Sequence, residues 1–141
     1  MQSLLRASRT ICQGLQSGQI GNPVSVRLIN QDGSEPLETS ISDSLDHVCL
    51  WMDHLPNAII AMRYPQTNSL SIHLQFPDGQ MALLSIGTTP GDWNTFEVIV
   101  AGNQGLLTWE PDTVSQPPCN DKTDNIKPIG KTLLPAIEQS L

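Results

Sequence analysis

The hydrophobic period of this chain changes at Pro56, from 3.6 residues to 2, and that switch requires a fold that joins a helix before Pro56 to a run of strands after it. Before it, Ile41, Leu45, Val48, Met52 and Leu55 recur at i, i+4, i+7, i+11 and i+14, one apolar stripe of a helix. Ser40, Ser42 and Asp43 offer N-capping side chains at its start, and Pro56 follows its end. After it, residues 58–64 read as a strand, and residues 65–68 turn it. In residues 69–76, Leu70, Ile72, Leu74 and Phe76 alternate with Ser71, His73 and Gln75, the pattern of a strand with one buried face. Pro77-Asp78-Gly79-Gln80 is a hairpin turn into a strand over 81–86. Residues 94–101 form the next strand, and Gly102-Asn103-Gln104-Gly105 turns it into a short one over 106–110.

Upstream of the stripe, residues 2–16 also repeat at helical spacing. Leu4, Ile11, Cys12 and Leu15 share a face, with Arg6, Arg9, Gln13 and Gln16 off it. Gly18, Gly21 and Asn22-Pro23 end this helix. Residues 23–30 then alternate, Val24, Val26 and Leu28 on one side and Ser25 and Arg27 on the other. Residues 34–40 read as a polar, proline-interrupted connection. Four prolines (Pro111, Pro117, Pro118, Pro128) make 111–130 a long surface loop before a last short helix over 130–141. Helix, strand, helix, a run of antiparallel strands and a closing helix predict one α+β domain over 1–141: an open, mainly antiparallel sheet with helices packed on one face. Leu84 and Ile99, read as lying opposite the main apolar rows of their strands, imply a second face that also needs cover. A homo-oligomer through the sheet face is the expected way to supply it.

Composition narrows the partners. A net charge of -7, with only seven Lys and Arg and no basic stripe, argues against nucleic acid and anionic lipid. No apolar run approaches the roughly 20 residues that span a bilayer. The first residues mix Arg, Ser and apolar positions as a targeting peptide can, but lack an uninterrupted apolar run. Three widely spaced cysteines (Cys12, Cys49, Cys119) suggest neither a disulfide framework nor a paired metal site, so a reducing cytoplasm is the simplest setting. His47 and His54 stand seven apart with no complement of further ligands, and metal binding is disfavoured. Cys12 and Cys49, on or beside apolar helix faces, read as small hydrophobes rather than nucleophiles. Trp51, Trp93 and Trp109 suit a ligand cleft or, more commonly, core and interface packing. The polar row Ser71, His73 and Gln75 fits an interface or a solvated face equally well.

Three segments together resemble the C-terminal, substrate-side domain of the Gfo/Idh/MocA oxidoreductase family. Residues 14–28, GLQSGQIGNPVSVRL, look like that domain's entry, a helix ending in a turn of the type SGxIGxPVxVR. Residues 46–62, DHVCLWMDHLPNAIIAM, resemble its next helix, with a DLxxWLxG-like ending, and the strand after it. Residues 74–87 and 96–110 resemble the strand pair FxDGxxAxLxxS and xxVxGxxGxLxW, and 131–141 look like the late helix. The resemblance spans nearly all of 8–141.

What it implies for function turns on what these residues hold. The family binds its dinucleotide on a GxGxxG turn that opens a helix, and the glycines here, Gly102/Gly105 and Gly87/Gly91, lie between strands. The resemblance therefore implies no cofactor in this chain, and NAD(P) only if a partner Rossmann chain supplies it. The family's substrate domain also carries a DxxxH element whose His is an acid/base. Asp43-Ser44-Leu45-Asp46-His47 matches that string, so Asp43 and His47 are its candidate catalytic residues. Aligning Trp51 with the family's tryptophan instead puts Ser44 at the His position and Ser40 at the Asp position, leaving Asp43 and His47 as an ordinary i, i+4 pair. The expected function is a stand-alone module, non-catalytic by itself, that assembles through its sheet for binding or scaffolding. The alternatives are half of a split NAD(P)-dependent oxidoreductase completed by a separate Rossmann-domain protein, or a small-ligand, sugar-like binding protein.

Overall fold

A computed structural model describes residues 2–31, 35–64, 66, 68–88, 95–111 and 137. Helix α1 (Gln2–Ser17) leads to strand β1 (Pro23–Gln31), helix α2 (Leu37–Met52) and strands β2 (Ala58–Tyr64), β3 (Ser69–Gln75), β4 (Met81–Gly87), β5 (Thr95–Gly102) and β6 (Gly105–Trp109). The six strands form one open sheet in the order β2-β3-β4-β1-β5-β6. Every neighbouring pair is antiparallel except β1 with β4. Both helices pack on one face, α2 over β4 and β1 and α1 over β5 and β6, so the fold is α+β with an open, mainly antiparallel sheet. The last short helix predicted over 130–141 lies outside the described residues apart from Ile137, which is helical and buried. The loop predicted over 111–130 lies outside them apart from Pro111.

Burial follows the two periods. Leu4, Ala7 and Ile11 from α1, Leu45, Val48 and Met52 from α2, and Val26, Leu28, Ile72, Leu74, Leu84, Ile86, Val98 and Val100 from the sheet form a continuous core. Two tight turns close the end of the sheet where β1 starts. Gly21 holds φ +73, and the backbone N–H of Asn22 donates to Asn103 Oδ1 at 3.0 Å. A Cβ on Gly102 would run into the carbonyl oxygen of Ile20, so that position tolerates only glycine.

Four expectations need correction. The strands are not one continuous run of neighbours: β4 and β5 follow each other in sequence, but β1 lies between them. Alternation assigns faces and not neighbours, and Val26 and Leu28 are apolar enough to sit mid-sheet. Helix α2 starts at Leu37, inside the stretch read as a loop, with Pro36 at its N-cap and no capping side chain. Ser40 and Ser42 are buried within the helix, because packing Leu37 on the core outweighs local capping chemistry. Leu55 lies beyond the helix end, which Asp53 closes in a left-handed conformation, and is exposed. Leu84 belongs to the buried row with Ala82 and Ile86, and its neighbour Leu83 faces the other way. Two adjacent leucines leave the choice of row undetermined. Ile99 does lie on the open face, opposite Arg27 and Thr108.

Candidate functional site

A row of polar side chains runs through the otherwise apolar interior. Ser40, Ser44, His47 and Trp51 fall at spacings of three and four along α2, so they share one face of the helix. All four are buried, with Ser8 of α1 and Asn30 of β1 beside them. Buried polar groups must find partners, and most of these do so across elements. Asn30 Nδ2 donates to Ser44 Oγ at 3.3 Å, tying the far end of β1 to the first half of α2. Ser8 Oγ accepts a hydrogen bond from Trp51 Nε1 at 3.0 Å and shares a second, of 2.8 Å, with His47 Nδ1. When the Ser8 hydroxyl donates to Nδ1, the neutral imidazole carries its proton on Nε2. The Ser40 hydroxyl has no hydrogen-bond partner among the described residues.

His47 is 4% exposed, its ring tilted against Trp51 at a centroid distance of 6.1 Å. Asp43, one turn before it, is half-buried. The helix therefore brings His47, Ser8 and Trp51 together in the α1–α2 interface, where the imidazole is buried and hydrogen-bonded. Ser44 and Ser40, the positions that the Trp51 alignment assigns to an acid/base pair, carry hydroxyls that do not titrate near neutral pH. Ser8 escaped the sequence reading, although it was legible: it lies in line with Leu4, Ile11 and Cys12 on the apolar stripe of α1. A serine in such a stripe calls for a partner inside the core.

The remaining candidates occupy separate places. His54 is exposed beyond the end of α2, and His73 is half-buried on β3, across from Ile60 and Leu83. Among the described residues no three His, Cys, Asp or Glu side chains come together as a metal-binding group. Burial, with Asp46 nearby, pushes the Cys49 thiol up to about 12, which keeps it protonated and unreactive. Trp109 is a core residue packed edge-on against Phe96 at 5.6 Å, while Trp93, Cys119 and Gly91 lie outside the described residues. Gly102 and Gly105 flank the β5–β6 turn and Gly87 ends β4. Gly102 and Gly105 lead into a strand and not into a helix N-terminus.

The uncovered face of the sheet is chemically different. Ile60, Met62 and Tyr64 of β2, Met81 and Leu83 of β4, and Leu106 of β6 are each at least 43% exposed. Ile29 and Ile99 lie on the same side, with Arg27, Glu97 and His73 among them. Among the described residues, no helix is long and apolar enough to cross a membrane.

No family model matches the sequence, and no curated protein matches it. Solved structures do match the fold. A "probable dehydrogenase" from Thermotoga maritima superposes with a TM-score of 0.65 at 13% identity, over 86% of this chain and 43% of that one. Scyllo-inositol dehydrogenase from Lactobacillus casei, with bound NAD(H) and scyllo-inositol, matches at 0.63 and 15%, over 95% and 50%. Myo-inositol dehydrogenase from the same organism, in complex with NAD(H) and myo-inositol, matches at 0.63 and 17%, over 82% and 39%. This chain spans half or less of the length of those dehydrogenases, and at such identities the likeness is one of fold: a sheet-and-helix unit that also forms part of dehydrogenase chains.

Proposed function

We propose that this chain is the sheet module of a dehydrogenase-type architecture, non-catalytic by itself, that assembles with a second copy through the open face of its sheet. The observation that carries the reading is that face. Six large apolar side chains exposed on one side of one sheet exceed what an isolated soluble surface usually shows, and such patches mark interaction sites. The open row pairs Arg27 with Ile99 and Leu83 across neighbouring strands, with Glu97 two residues further along β5, so both charge signs are present for a self-complementary contact. Hydroxyls at Ser40 and Ser44, and a His47 locked between helices, support the absence of turnover by this module alone. The cytoplasm is the setting this reading takes.

Light scattering coupled to size exclusion tests it. The wild-type chain is expected to run as a dimer or larger at micromolar concentration, and Leu83→Lys with Ile60→Asp to run as a folded monomer. A wild-type monomer at that concentration sinks the reading.

A second reading has one observation in its favour, Asp43 placed one helical turn before His47. In it a separate Rossmann-domain chain brings NAD(P), His47 serves as acid/base and Asp43 orients it. His47→Gln in the reconstituted pair decides the matter: full activity in that variant removes His47 from any catalytic role.

A further inference from the structure

The pairing registers of the open face line up in rows across the sheet, and one row spans all six strands: Ile60, His73, Leu83, Arg27, Ile99 and Thr108, from β2 to β6. Its centre is palindromic. Leu83 has Ile60 two strands away on one side and Ile99 two strands away on the other, with His73 and Arg27 as its immediate neighbours. Next to His73 on this face stand Ala58, Ile60 and Met62 of β2 and Met81, Leu83 and Ser85 of β4, none of them titratable. Its own strand adds only Ser71 and Gln75, and Tyr64 of β2 stands two rows away. The charged side chains on the open rows of the strands are Arg27 and Glu97.

Two copies that meet through the same face are related by a twofold axis. Where two sheets pack face to face, that axis lies between them, so it preserves every residue's distance from any point on it. The palindromic row puts the axis at Leu83, since leucine then meets leucine and isoleucine meets isoleucine. His73 is one strand from Leu83, about 4.8 Å, and under any such axis it meets only groups at a similar distance: Arg27, Met81, Ser85 or its own counterpart. Glu97 is two strands and one row from Leu83, about 12 Å, and out of its reach.

We propose that the second copy docks on a twofold axis at Leu83, setting His73 against Arg27 or against its own counterpart, so that the two faces close only when both imidazoles are neutral. The inference rests on the assembly reading above and adds its geometry and its control. Imidazole is the side chain that changes charge between pH 5 and pH 8. A proton on His73 places a cation against Arg27, or against a second imidazolium, in a contact closed to water and beyond the reach of a carboxylate on the open rows. General electrostatics has the opposite sign. Two copies carrying a net charge of -7 repel each other, and acid relieves that repulsion. Loosening in acid therefore reports a local group, and His47 and His54 do not lie on the open rows.

Sedimentation equilibrium of the 141-residue chain between pH 8.0 and pH 5.5, with far-UV circular dichroism to report the fold, tests it. The wild-type Kd should rise by about tenfold or more as pH falls, since each of two imidazoles per dimer must give up its proton to associate. In His73→Gln, which takes up no proton, Kd should change by less than about twofold over the same range. Leu83→Cys in a Cys119→Ser background should form a disulfide-linked dimer in air at pH 8.0, because a residue on the twofold faces its own counterpart. Three outcomes overturn the proposal and leave the assembly reading standing: a dimer equally tight or tighter in acid, a His73→Gln variant that keeps the wild-type pH dependence, or a Leu83→Cys dimer that forms no disulfide. A folded wild-type monomer at pH 8.0 overturns both.

Discussion

Replacing Ser8 by alanine removes the one atom through which α1, His47 and Trp51 are joined. Ser8 Oγ bonds to Trp51 Nε1 at 3.0 Å and to His47 Nδ1 at 2.8 Å, and all three residues are buried. Alanine fits the space but leaves an indole N–H and a ring nitrogen facing a methyl group. A buried polar group stripped of its partner costs about 1–3 kcal/mol, and the methyl returns less than about 1 kcal/mol. His47 has a further interaction that softens its share of the loss. The expected destabilisation is about 2–4 kcal/mol, a large fraction of the stability of a domain this size. Urea unfolding monitored by far-UV circular dichroism should show a lower midpoint with an unchanged slope. Trp51→Phe breaks the same bond from the other side, so Ser8→Ala with Trp51→Phe should cost about 1–2 kcal/mol less than the sum of the two single changes, packing losses cancelling in the cycle. A cost for Ser8→Ala below about 0.5 kcal/mol, or strict additivity with Trp51→Phe, would refute the idea that this hydroxyl is a junction.

Two further outcomes follow from burial. Leu84→Ala removes a fully buried side chain between sheet and helices and should cost about 2–5 kcal/mol, whereas Leu83→Ala, on the open face, should change the folding of the monomer by less than about 1 kcal/mol. Equal costs in denaturant would refute the assignment of Leu84 to the buried row and Leu83 to the open one, and a larger cost for Leu83→Ala would reverse it. Cys49 has its thiol raised from 9.0 to about 12, so the folded state holds that proton more tightly than the unfolded chain. Its contribution to stability is complete below pH 9 and is lost as pH rises toward about 12. Wild type should therefore lose more stability than Cys49→Ala between pH 8 and pH 10.5, and peptide mapping after iodoacetamide treatment at pH 8 should find Cys49 labelled only when the chain is unfolded.

The elements themselves were largely legible. The strict alternation of Leu70, Ile72 and Leu74 and the helical stripe through Leu45, Val48 and Met52 translate directly into burial, because a side chain's direction depends only on its own element. What periodicity cannot carry is the identity of a strand's neighbours. The position of β1 between β4 and β5 follows from long-range packing, and no pattern within residues 23–31 encodes it. The start of α2 was misplaced for a related reason: the short polar side chains at Ser40 and Ser42 are used in the core instead of at a cap. Of the buried polar row, the DxxxH string points to His47 and the Trp51 alignment to Ser40 and Ser44, but the partners Ser8 and Asn30 come from other elements, and only the tertiary fold joins them.

The central place of β1 has a consequence for how the chain reaches its fold. The strand is made before either of its neighbours, since both of its flanks belong to segments made later, residues 81–87 on one side and 95–102 on the other. Until those arrive, Val26 and Leu28 and two rows of unpaired backbone groups have no native neighbours, which is the kind of surface that chaperones hold and nascent chains misassociate through. Distant pairing of this sort also slows folding, because a long loop must close before any ladder bond forms. The hairpins β2-β3-β4 and β5-β6 can each form locally, so the slow event is the threading of the early strand into the gap between two finished pieces.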